Sequence, residues 1–349
     1  MSTTTIAYPF SAIVGQEELK LALILNAINP QIGGLLIRGP KGTGKSTSVR
    51  ALANLLPEVE VVDGCPFNCS PTDPTNMCQN CLQKYMNNDP LPTVKRKMRV
   101  ITLPIGATED RVIGSLDIEK AIRHGIKALE PGLLADANQN ILYIDEVNLL
   151  PDHITDDILD AAASGWNIVE RESVSIAHPS RFILIGSMNP EEGELRPQLM
   201  DRFPLHVSVE TIQDEKKRVE ITRNNIEFKE DPLGFIKKYS KMEEKLRERI
   251  LKARSNLSKV HVPDEIIEAV ALSAIKLHLD GHRPEIVAVR AAKTLAAFEG
   301  RLTVTPEDVI RVSAMAVGFR TRGGGFEEPA PPSMVKEVFR DSLKETMKS

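Results

Sequence analysis

The eight residues from Gly39 to Ser46 constrain this chain more than any other part of its sequence. They have the spacing Gly-x-x-x-x-Gly-Lys-Ser and lie between a short apolar run at Leu35 to Arg38 and a helix-like stretch. Glycines at these positions let consecutive backbone N–H groups turn toward phosphate oxygens, and a helix N-terminus favours the same anions. The segment therefore predicts a strand, a phosphate-binding loop and a helix in succession, as found in α/β folds.

The same loop indicates the chemistry of its ligand. Lys45 supplies a cation to the β- and γ-phosphates of a nucleotide, and Ser46 offers a hydroxyl ligand to magnesium at the start of the helix. A glycine-rich turn without a ligand is the alternative, and the strand and helix on either side argue against it. We therefore expect ATP and Mg²⁺ as ligands, held by Gly39, Pro40, Lys41, Gly42, Thr43, Gly44, Lys45, Ser46 and Thr47.

A buried strand predicted at Ile141 to Ile144 ends in two adjacent carboxylates, Asp145 and Glu146. Ligands of parallel α/β sheets bind outside the carboxyl ends of the strands. Asp145 is expected to hold magnesium, directly or through water, and Glu146 to orient and deprotonate the attacking water. Asn189 follows a later apolar run and is expected to hold that water near the γ-phosphate, although an asparagine before Pro190 also suits a simple turn.

Short apolar runs recur along the N-terminal part of the chain, separated by helix-length stretches. Their continuous apolar character predicts a parallel sheet covered by helices on both faces. Trp166 to Ile176 contains two β-rich pieces about a polar turn, which predicts a hairpin insertion at about 166–177. The apolar runs are 35–38, 59–62, 99–103, 141–144, 182–185 and 205–209.

From about Thr211 the sequence becomes charged and helix-favouring, without strand-like runs. Helix starts are predicted at Pro263-Asp264 and at Thr305-Pro306, where Thr305 can cap the helix and Pro306 suits its first turn. The expected fold class is an α/β parallel sheet with flanking helices and a β-hairpin insertion, followed by a smaller all-helical domain. The expected boundaries are 1–215 for the nucleotide-binding domain, with a cysteine-rich loop at 64–82, 216–320 for the helical domain, and 321–349 for a Gly/Pro linker and a C-terminal helix.

Composition and charge narrow the range of partners. The chain has 349 residues, 42% apolar and 26% charged, with a net charge of -4. This length suggests two domains, and the charge provides no attraction to nucleic acid or anionic lipid. No apolar run approaches the roughly 18 to 20 residues that span a bilayer, and the N-terminus lacks a signal-peptide pattern. We expect a cytoplasmic protein, or a stromal one after processing, without a membrane or nucleic-acid partner.

All four cysteines lie in one short stretch with the spacing Cys-x₃-Cys-x₈-Cys-x₂-Cys, and the prolines between them favour tight loops. Four thiolates on one loop suit tetrahedral zinc. The spacing departs from that of a zinc ribbon, so an iron–sulfur site, redox thiols and unliganded cysteines stay open as alternatives. The residues are Cys65, Cys69, Cys78 and Cys81.

Longer stretches resemble one family. The sequence is similar, nearly throughout, to the AAA+ ATPase subunit of magnesium chelatase, the smaller I subunit, and to its cobaltochelatase relatives. The run from Asn189 to Phe203 is specific to this family and is not shared by generic ATPases. The stretches that carry the resemblance are 13–16 (IVGQ), 103–111 (LPIGATEDR), 143–150 (YIDEVNLL), 165–167 (GWN), 169–172 (VERE), 189–198 (NPEEGELRPQ) and 201–203 (DRF).

The resemblance implies roles for residues that no local pattern identifies. Val14 and Gly15 would lie by the adenine, Arg202 would be an arginine finger reaching into a neighbouring subunit's ATP, and Arg283 would be the sensor-2 arginine. Arg290, on a nearby part of the same predicted helix, is a second candidate for that role. An arginine supplied in trans makes hydrolysis depend on assembly. The resemblance therefore implies a homo-oligomeric ring, which we expect to be a hexamer.

In the family this ring works with an AAA+/integrin-like D-type subunit and a large porphyrin-binding H-type subunit, or an N-type subunit in cobaltochelatases. The resemblance thus implies an ATPase motor for magnesium insertion into protoporphyrin IX in chlorophyll or bacteriochlorophyll synthesis. The alternatives are cobalt insertion for cobalamin synthesis and a MoxR-like remodelling ATPase. A DNA-translocating ring is opposed by the acidic net charge and by the lack of a basic stripe.

The chain also departs from the family. After Ala137-Asn138, where the family commonly has Arg-Gly, this chain has Gln139-Asn140. After Gly318-Phe319-Arg320 the usual ending is replaced by the Gly/Pro linker. Many plant and cyanobacterial relatives lack the four cysteines. The tail is expected to meet a partner-specific surface, and the departures leave the partner and the metal open.

Overall fold

The computed structural model of the chain describes residues 6–116, 129–171, 174–193, 195–200, 202–321 and 329–347. Within these ranges the strands are β1 (Leu35–Arg38), β2 (Val59–Val62), β3 (Thr93–Arg96), β4 (Val100–Leu103), β5 (Gly114–Leu116), β6 (Leu129–Pro131), β7 (Ile141–Ile144), β8 (Trp166–Arg171), β9 (Val174–Pro179), β10 (Ile183–Met188) and β11 (Leu205–Ser208). The helices are α1 (Glu17–Ile28), α2 (Lys45–Leu55), α3 (Gln79–Met86), α4 (Glu109–Ile113), α5 (Leu133–Ala137), α6 (Asp152–Ser164), α7 (Pro197–Met200), α8 (Glu215–Glu230), α9 (Pro232–Asn256), α10 (Asp264–Lys276), α11 (Arg283–Phe298), α12 (Pro306–Val317) and α13 (Pro332–Thr346).

The central sheet confirms the predicted α/β architecture. Among the described residues it has five strands in the order β11-β1-β10-β7-β4. β1 pairs in parallel with β11, and β7 pairs in parallel with both β10 and β4. β7 and β10 are buried along their whole length. This burial explains why their sequences are continuously apolar, since strands inside a parallel sheet are covered on both faces.

The sequence predicts Val59–Val62 as a strand of this sheet, and that prediction is wrong. β2 pairs antiparallel with β3 in a separate two-stranded sheet, with Val59 opposite Arg96. Glu60 is exposed whereas Val61 is buried. Val62 is buried on the same face as Glu60, so the exposed Glu60 carboxylate interrupts an otherwise apolar run. An exposed charge does not suit a strand that helices cover on both faces of a parallel sheet. The loop from residue 63 to residue 92, between β2 and β3, carries all four cysteines.

The hairpin insertion and the helix starts lie where the sequence predicts them. β8 and β9 pair antiparallel, with Trp166 opposite Pro179, so the second strand ends at Pro179 and not at 177. Pro263 directly precedes α10, and Pro306 opens α12. In the predicted Gly/Pro linker, residues 322–328 lie outside the described residues, and α13 begins at Pro332.

The chain divides into two compact units. The first comprises residues 1–55, 189–191 and 195–349, and the second comprises residues 56–188 and 192–194. The predicted boundary at 215/216 is not tested by this division and stays a prediction. In the described ranges, no helix combines the length and the apolar character needed to cross a bilayer. The cytoplasmic location also stays a prediction.

An ion pair with a buried carboxylate anchors the start of α12. Thr305 and Asp308 form a capping box, in which the Asp308 carboxylate accepts hydrogen bonds from the Thr305 backbone N–H and hydroxyl, each at 2.9 Å. Asp308 also accepts two hydrogen bonds from the Arg301 guanidinium, at 2.6 and 2.5 Å. The Asp308 side chain is 3% exposed. This bidentate, charge-assisted arrangement compensates the carboxylate for its loss of water.

We expect Asp308→Ala to lower the free energy of unfolding by about 2 to 4 kcal/mol, because it removes the cap and leaves the Arg301 charge without this partner. Denaturant unfolding of the purified chain measures the change. Glu307→Ala is the matched control, since Glu307 is exposed in the same helical turn, and its effect should stay below about 1 kcal/mol. Equal losses in the two variants would contradict the anchoring role of Asp308.

Candidate nucleotide-binding site

The phosphate loop connects β1 to α2 in the first unit. Gly42 and Gly44 have φ of +81° and +80°, a backbone conformation that favours glycine. A side chain at Gly39 would collide with the carbonyl oxygen of Val209, directly after β11. The Lys45 ammonium donates a hydrogen bond to the Gly39 carbonyl oxygen at 2.5 Å. The geometry of the loop thus explains its three glycines and places the Lys45 ammonium at the loop.

A cavity of about 530 Å³ lies beside this loop. Small-molecule sites typically occupy roughly 300 to 1,000 Å³. Four segments of the first unit form the cavity: the residues before α1, the phosphate loop, the residues after β11, and one face of α8. The lining residues are Tyr8, Ile13, Val14, Gln16, Lys41, Gly42, Thr43, Gly44, Thr47, Ser48, Glu210, Thr211, Ile212, Arg218, Ile221, Thr222 and Asn225.

The residues predicted beside the adenine lie at the entrance of α1. Val14 lines the cavity. Gly15 has φ of +68°, and a side chain there would press against Ile212, itself a lining residue. The Gln16 amide nitrogen donates to the Thr43 carbonyl oxygen at 2.5 Å, which fastens this segment to the phosphate loop. No sequence pattern predicts this role of Gln16, since it depends on a contact between segments far apart in the chain.

Tyr8 contributes an uncharged aromatic wall to the cavity. Its hydroxyl donates to the Ala12 carbonyl oxygen at 3.3 Å, and its ring meets that of Phe228 edge-on with the centroids 5.1 Å apart. Burial raises the pKa of Tyr8 to about 12, above the ordinary range of a phenol that is already neutral at physiological pH. The cavity therefore combines an anion-binding loop with an apolar wall, which suits the two chemically different ends of a nucleotide.

Asp145 comes directly after β7 in the second unit. Its Oδ1 atom accepts hydrogen bonds from the hydroxyls of Ser187, at 2.6 Å, and Tyr143, at 2.9 Å. These two hydroxyls are also 2.9 Å apart, and both side chains are buried. Two hydroxyls on paired strands therefore fix the orientation of the carboxylate. The sequence could have indicated Tyr143 and Ser187, because each places a hydroxyl within an otherwise apolar, buried strand.

Glu146 has a left-handed backbone with φ of 57°, which is uncommon for a residue other than glycine and often marks functional sites. Its N–H lies 3.4 Å from the Ser187 hydroxyl oxygen, the same hydroxyl that holds Asp145. Asn189 is 4% exposed, and its side-chain oxygen accepts a hydrogen bond from the Glu191 N–H at 3.3 Å. This hydrogen bond is the one expected if Asn189 only forms a turn before Pro190. The role of Asn189 in holding the water stays a prediction.

Known proteins match this chain over nearly its whole length. The AAA domain profile matches residues 31–190, and the AAA lid domain profile matches residues 267–342. A Methanocaldococcus jannaschii protein named magnesium-chelatase subunit ChlI homolog is 59% identical over 97% of this chain and 91% of its own. The magnesium-chelatase subunit ChlI of Synechocystis is 50% identical over 97% of this chain and 95% of its own. The chain belongs to the magnesium-chelatase ChlI family.

Solved structures agree with the ChlI-family assignment. A chain in the complex between subunits BchI and BchD of magnesium chelatase, built on a cryo-EM reconstruction, is 46% identical. The match covers 96% of this chain and 99% of that one, with a TM-score of 0.55. A Cytophaga hutchinsonii protein at 18% identity, with a TM-score of 0.58, shares the fold alone. The AAA+ fold with a helical lid is therefore confirmed.

The arginines implied by the ChlI-family resemblance lie in the first unit. Arg202 follows α7 and is half-buried, and its backbone N–H donates to the Leu199 carbonyl oxygen at 3.1 Å. Arg283 is exposed at the first residue of α11. Arg290, further along α11, donates to the Gln31 carbonyl oxygen at 2.8 Å. An arginine finger acts on the nucleotide of a neighbouring subunit, so this role of Arg202 stays a prediction. The sensor-2 role of Arg283 also stays a prediction.

Gln139 and Asn140, which stand where the family resemblance leads us to expect Arg-Gly, both form hydrogen bonds in the second unit. Gln139 has φ of 62°, and its side-chain amide donates to the Asn68 carbonyl oxygen, in the loop that carries the cysteines, at 2.7 Å. The Asn140 side-chain oxygen accepts a hydrogen bond from the Arg99 N–H at 2.9 Å. Gln139 thus fastens the cysteine-bearing loop to the segment before β7, and Asn140 fastens that segment to the start of β4.

The four cysteines converge in three dimensions, as their spacing predicts. Hydrogen bonds with Cys69 and Cys78 lower the pKa of Cys65, while the bond with Cys65 raises the pKa of Cys69. Burial raises the pKa of the fourth thiol, Cys81, to about 12. All four cysteines are free, and their Sγ atoms lie within 4.8 Å of one another. We call these residues the cysteine cluster: Cys65, Cys69, Cys78 and Cys81.

Proposed function

We propose that this chain hydrolyses ATP in the cavity beside Gly39–Ser46, as the motor subunit of a magnesium chelatase. The complete phosphate loop and the adjoining cavity of about 530 Å³ support ATP binding. The observation that carries the chelatase role is the 46% identity, over 96% of this chain, to a chain of the BchI–BchD complex. A likeness this long includes the lid and the segment around Arg202 as well as the phosphate loop.

Each predicted site residue has its own task in the proposed hydrolysis. The backbone N–H groups of the phosphate loop and the Lys45 ammonium bind the β- and γ-phosphates. Glu146 accepts a proton from the attacking water, and Asn189 holds that water in position. Because phosphoryl transfer has a loose transition state, positioning and charge stabilisation account for most of the catalysis. The side chains that orient Asp145 and Glu146 should therefore affect the rate as well.

Magnesium fits the donor atoms that these residues offer. Mg²⁺ prefers oxygen ligands, and the Ser46 hydroxyl and the Asp145 carboxylate are both oxygen donors. The hydrogen bonds to Asp145 Oδ1 from Ser187 and Tyr143 hold the carboxylate in one orientation. When bound, the ion neutralises charge that develops on the phosphates during transfer.

Replacing Ser187 with alanine is expected to reduce ATP turnover by about 10- to 100-fold, because Asp145 loses the shorter of its two orienting hydrogen bonds. The variant should need more Mg²⁺ for half-maximal turnover, which ATPase assays across Mg²⁺ concentrations measure. Ser180→Ala is the matched control, since Ser180 is also buried but donates to the Leu134 carbonyl oxygen. An unchanged Mg²⁺ dependence in the Ser187 variant would contradict the positioning role.

The larger assembly belongs to the same proposal. We infer that the chain forms a homo-oligomeric ring of six subunits, in which Arg202 of one subunit serves the nucleotide of the next. The ring would work with a D-type AAA+ subunit, which the BchI–BchD complex of the solved relative supports. Its hydrolysis would drive metal insertion into protoporphyrin IX on a large H-type subunit.

Reconstitution with candidate D-type and large subunits tests this assembly, with Mg²⁺ or Co²⁺ offered together with a tetrapyrrole. ATP-dependent insertion of Mg²⁺ is the expected result. Cobalt is the second candidate, with an N-type large subunit, because the sequence also resembles the cobaltochelatase relatives. Insertion of Co²⁺ alone would assign the chain to a cobaltochelatase. Active ATP hydrolysis with insertion of neither metal would contradict both assignments.

A further inference from the structure

The cysteine cluster has the dimensions of a mononuclear metal site. The Cys65 Sγ atom is 3.5 Å from that of Cys69 and 4.0 Å from that of Cys78. Four thiolates arranged tetrahedrally around zinc, with Zn–S distances of about 2.3 Å, lie about 3.8 Å apart. The cluster therefore needs only small movements to close on one ion. An iron–sulfur cluster places several iron and sulfide ions among its cysteines and needs a wider separation.

The local backbone presents the four sulfurs to a common centre. Cys65 lies in the turn after β2, where its N–H donates to the Val62 carbonyl oxygen at 3.3 Å. Cys78 is the N-cap of α3, and Cys81 lies in the first turn of that helix. The Cys78 N–H donates to the Cys69 sulfur at 3.0 Å. This backbone donor fixes the position of the Cys69 sulfur beside the start of α3.

The loop that carries the cluster has few other means of holding its shape. Between β2 and β3, at residues 63–92, the described regular structure consists of one turn at Pro74–Asn76 and the eight-residue helix α3. Beside the cysteines, the buried apolar side chains of its core are Val62 and Met77, with Phe67, Leu82 and Leu91 half-buried. So small a core gains order from a metal ion, as in other small metal-bound modules.

The loop is tied to the segment that leads into β7. The buried Asn138 side-chain amide donates to the carbonyl oxygens of Phe67, at 2.8 Å, and Asn68, at 3.1 Å. Gln139 donates to the Asn68 carbonyl oxygen as well. β7 begins two residues after Gln139 and ends directly before Asp145. Order in the loop is therefore transmitted by hydrogen bonds to the strand that positions Asp145.

We propose that the cysteine cluster holds one structural Zn²⁺ through four thiolates and thereby fixes the loop of residues 63–92 against the segment before β7. Binding forms four Zn–S bonds and releases the thiol protons to solvent, without a change of oxidation state. Four protein ligands complete the tetrahedron, so no coordination position remains for catalysis. The ion is distinct from the Mg²⁺ expected with ATP, which prefers oxygen ligands.

Metal analysis of the full chain, purified with reduced thiols and with zinc supplied, is expected to give about one Zn²⁺ per chain. Cys69→Ser should lower the zinc content at least about fivefold, because three thiolates hold the ion more weakly than four. Thr72→Ala is the matched control. Thr72 is exposed in the same loop and should leave the zinc content at its original value.

Cobalt substitution of the unmodified chain gives a second measurement, which does not depend on a cysteine variant folding correctly. Co²⁺ in a tetrahedral site of four thiolates absorbs strongly in the visible range, in a pattern that reports both the geometry and the sulfur ligands. We expect this spectrum on titrating the metal-free, reduced chain with Co²⁺. An equimolar amount of Zn²⁺ should then abolish it.

Three results would overturn the zinc site: a content below about 0.1 Zn²⁺ per chain after preparation in excess zinc, iron in place of zinc, or an unchanged zinc content in Cys69→Ser. None of these measurements requires ATP hydrolysis. A chain that holds zinc but lacks ATPase activity would refute the proposed function and leave the zinc site standing. A chain that hydrolyses ATP but binds no zinc would refute the zinc site and leave the proposed function standing.

Discussion

A chain carrying Glu146→Gln is expected to bind ATP normally and to hydrolyse it about 10²- to 10⁴-fold more slowly, because an amide cannot accept the proton of the attacking water. The substitution preserves the length and shape of the side chain. It should therefore leave intact both the left-handed backbone at this position and the contact of its N–H with Ser187. Equilibrium binding of a fluorescent ATP analogue and steady-state release of phosphate measure the two effects separately.

Two further substitutions show whether the loss belongs to Glu146 itself. Lys45→Ala should weaken ATP binding as well as turnover, since it removes the cation next to the phosphates. Glu58→Gln, at an exposed position outside the site, makes the same chemical change and should leave both quantities unchanged. Normal turnover in the Glu146 variant would remove this residue from the mechanism. Loss of ATP binding in the Glu146→Gln variant would instead give Glu146 a structural role.

The phosphate loop was predictable because its requirements are local. The positive φ values at Gly42 and Gly44 follow from the loop's own path, and so a short stretch of sequence contains them. β7 and β10 were predictable for a similar reason, since burial on both faces leaves a continuous apolar run. The helix start at Pro306 likewise depends on residues within a single turn.

Features that depend on pairing between distant segments were not predictable in this way. Val59–Val62 is apolar apart from Glu60, and its antiparallel pairing with β3 depends on a segment remote in sequence. The Ser187 hydroxyl matters because β10 lies beside β7, which places it against Asp145. Gln139 looks like a simple departure from the family until its contact with Asn68 is known. In each case the partner residue is remote in sequence, so no local pattern identifies it.

The contribution of α8 to the cavity wall also depends on contact between segments remote in sequence. Residues of α8, among them Arg218 and Thr222, line the cavity together with Gly42 and Gly44 of the phosphate loop. The predicted boundary at 215/216 assigns α8 to the helical domain, so residues on both sides of it would contact one nucleotide. A bound nucleotide would then contact both the phosphate loop and the first helix of the predicted helical domain.

Arg202→Ala is expected to lower the ATP turnover of the assembled ring by about 10³-fold or more, because an arginine finger stabilises the charge of the transition state. The backbone at this position is fixed by the bond from the Arg202 N–H to Leu199 and by the fully buried Phe203 that follows. The substitution should therefore change the side chain without disturbing the fold. ATPase assays on size-separated rings measure the loss, and Arg311→Ala, at an exposed arginine on α12, is the control.

Mixing two inactive variants shows whether the finger acts on a neighbouring subunit. An Arg202→Ala subunit retains Glu146, and a Glu146→Gln subunit retains Arg202. In rings assembled at random from equal amounts, about one quarter of the sites should combine an intact Glu146 with a neighbour's Arg202, and turnover should recover to about that fraction of the unmodified ring. A finger acting within its own subunit predicts no recovery, because no single subunit then holds both groups. Mixed rings without recovery would therefore refute the in-trans role, even if Arg202→Ala alone is inactive.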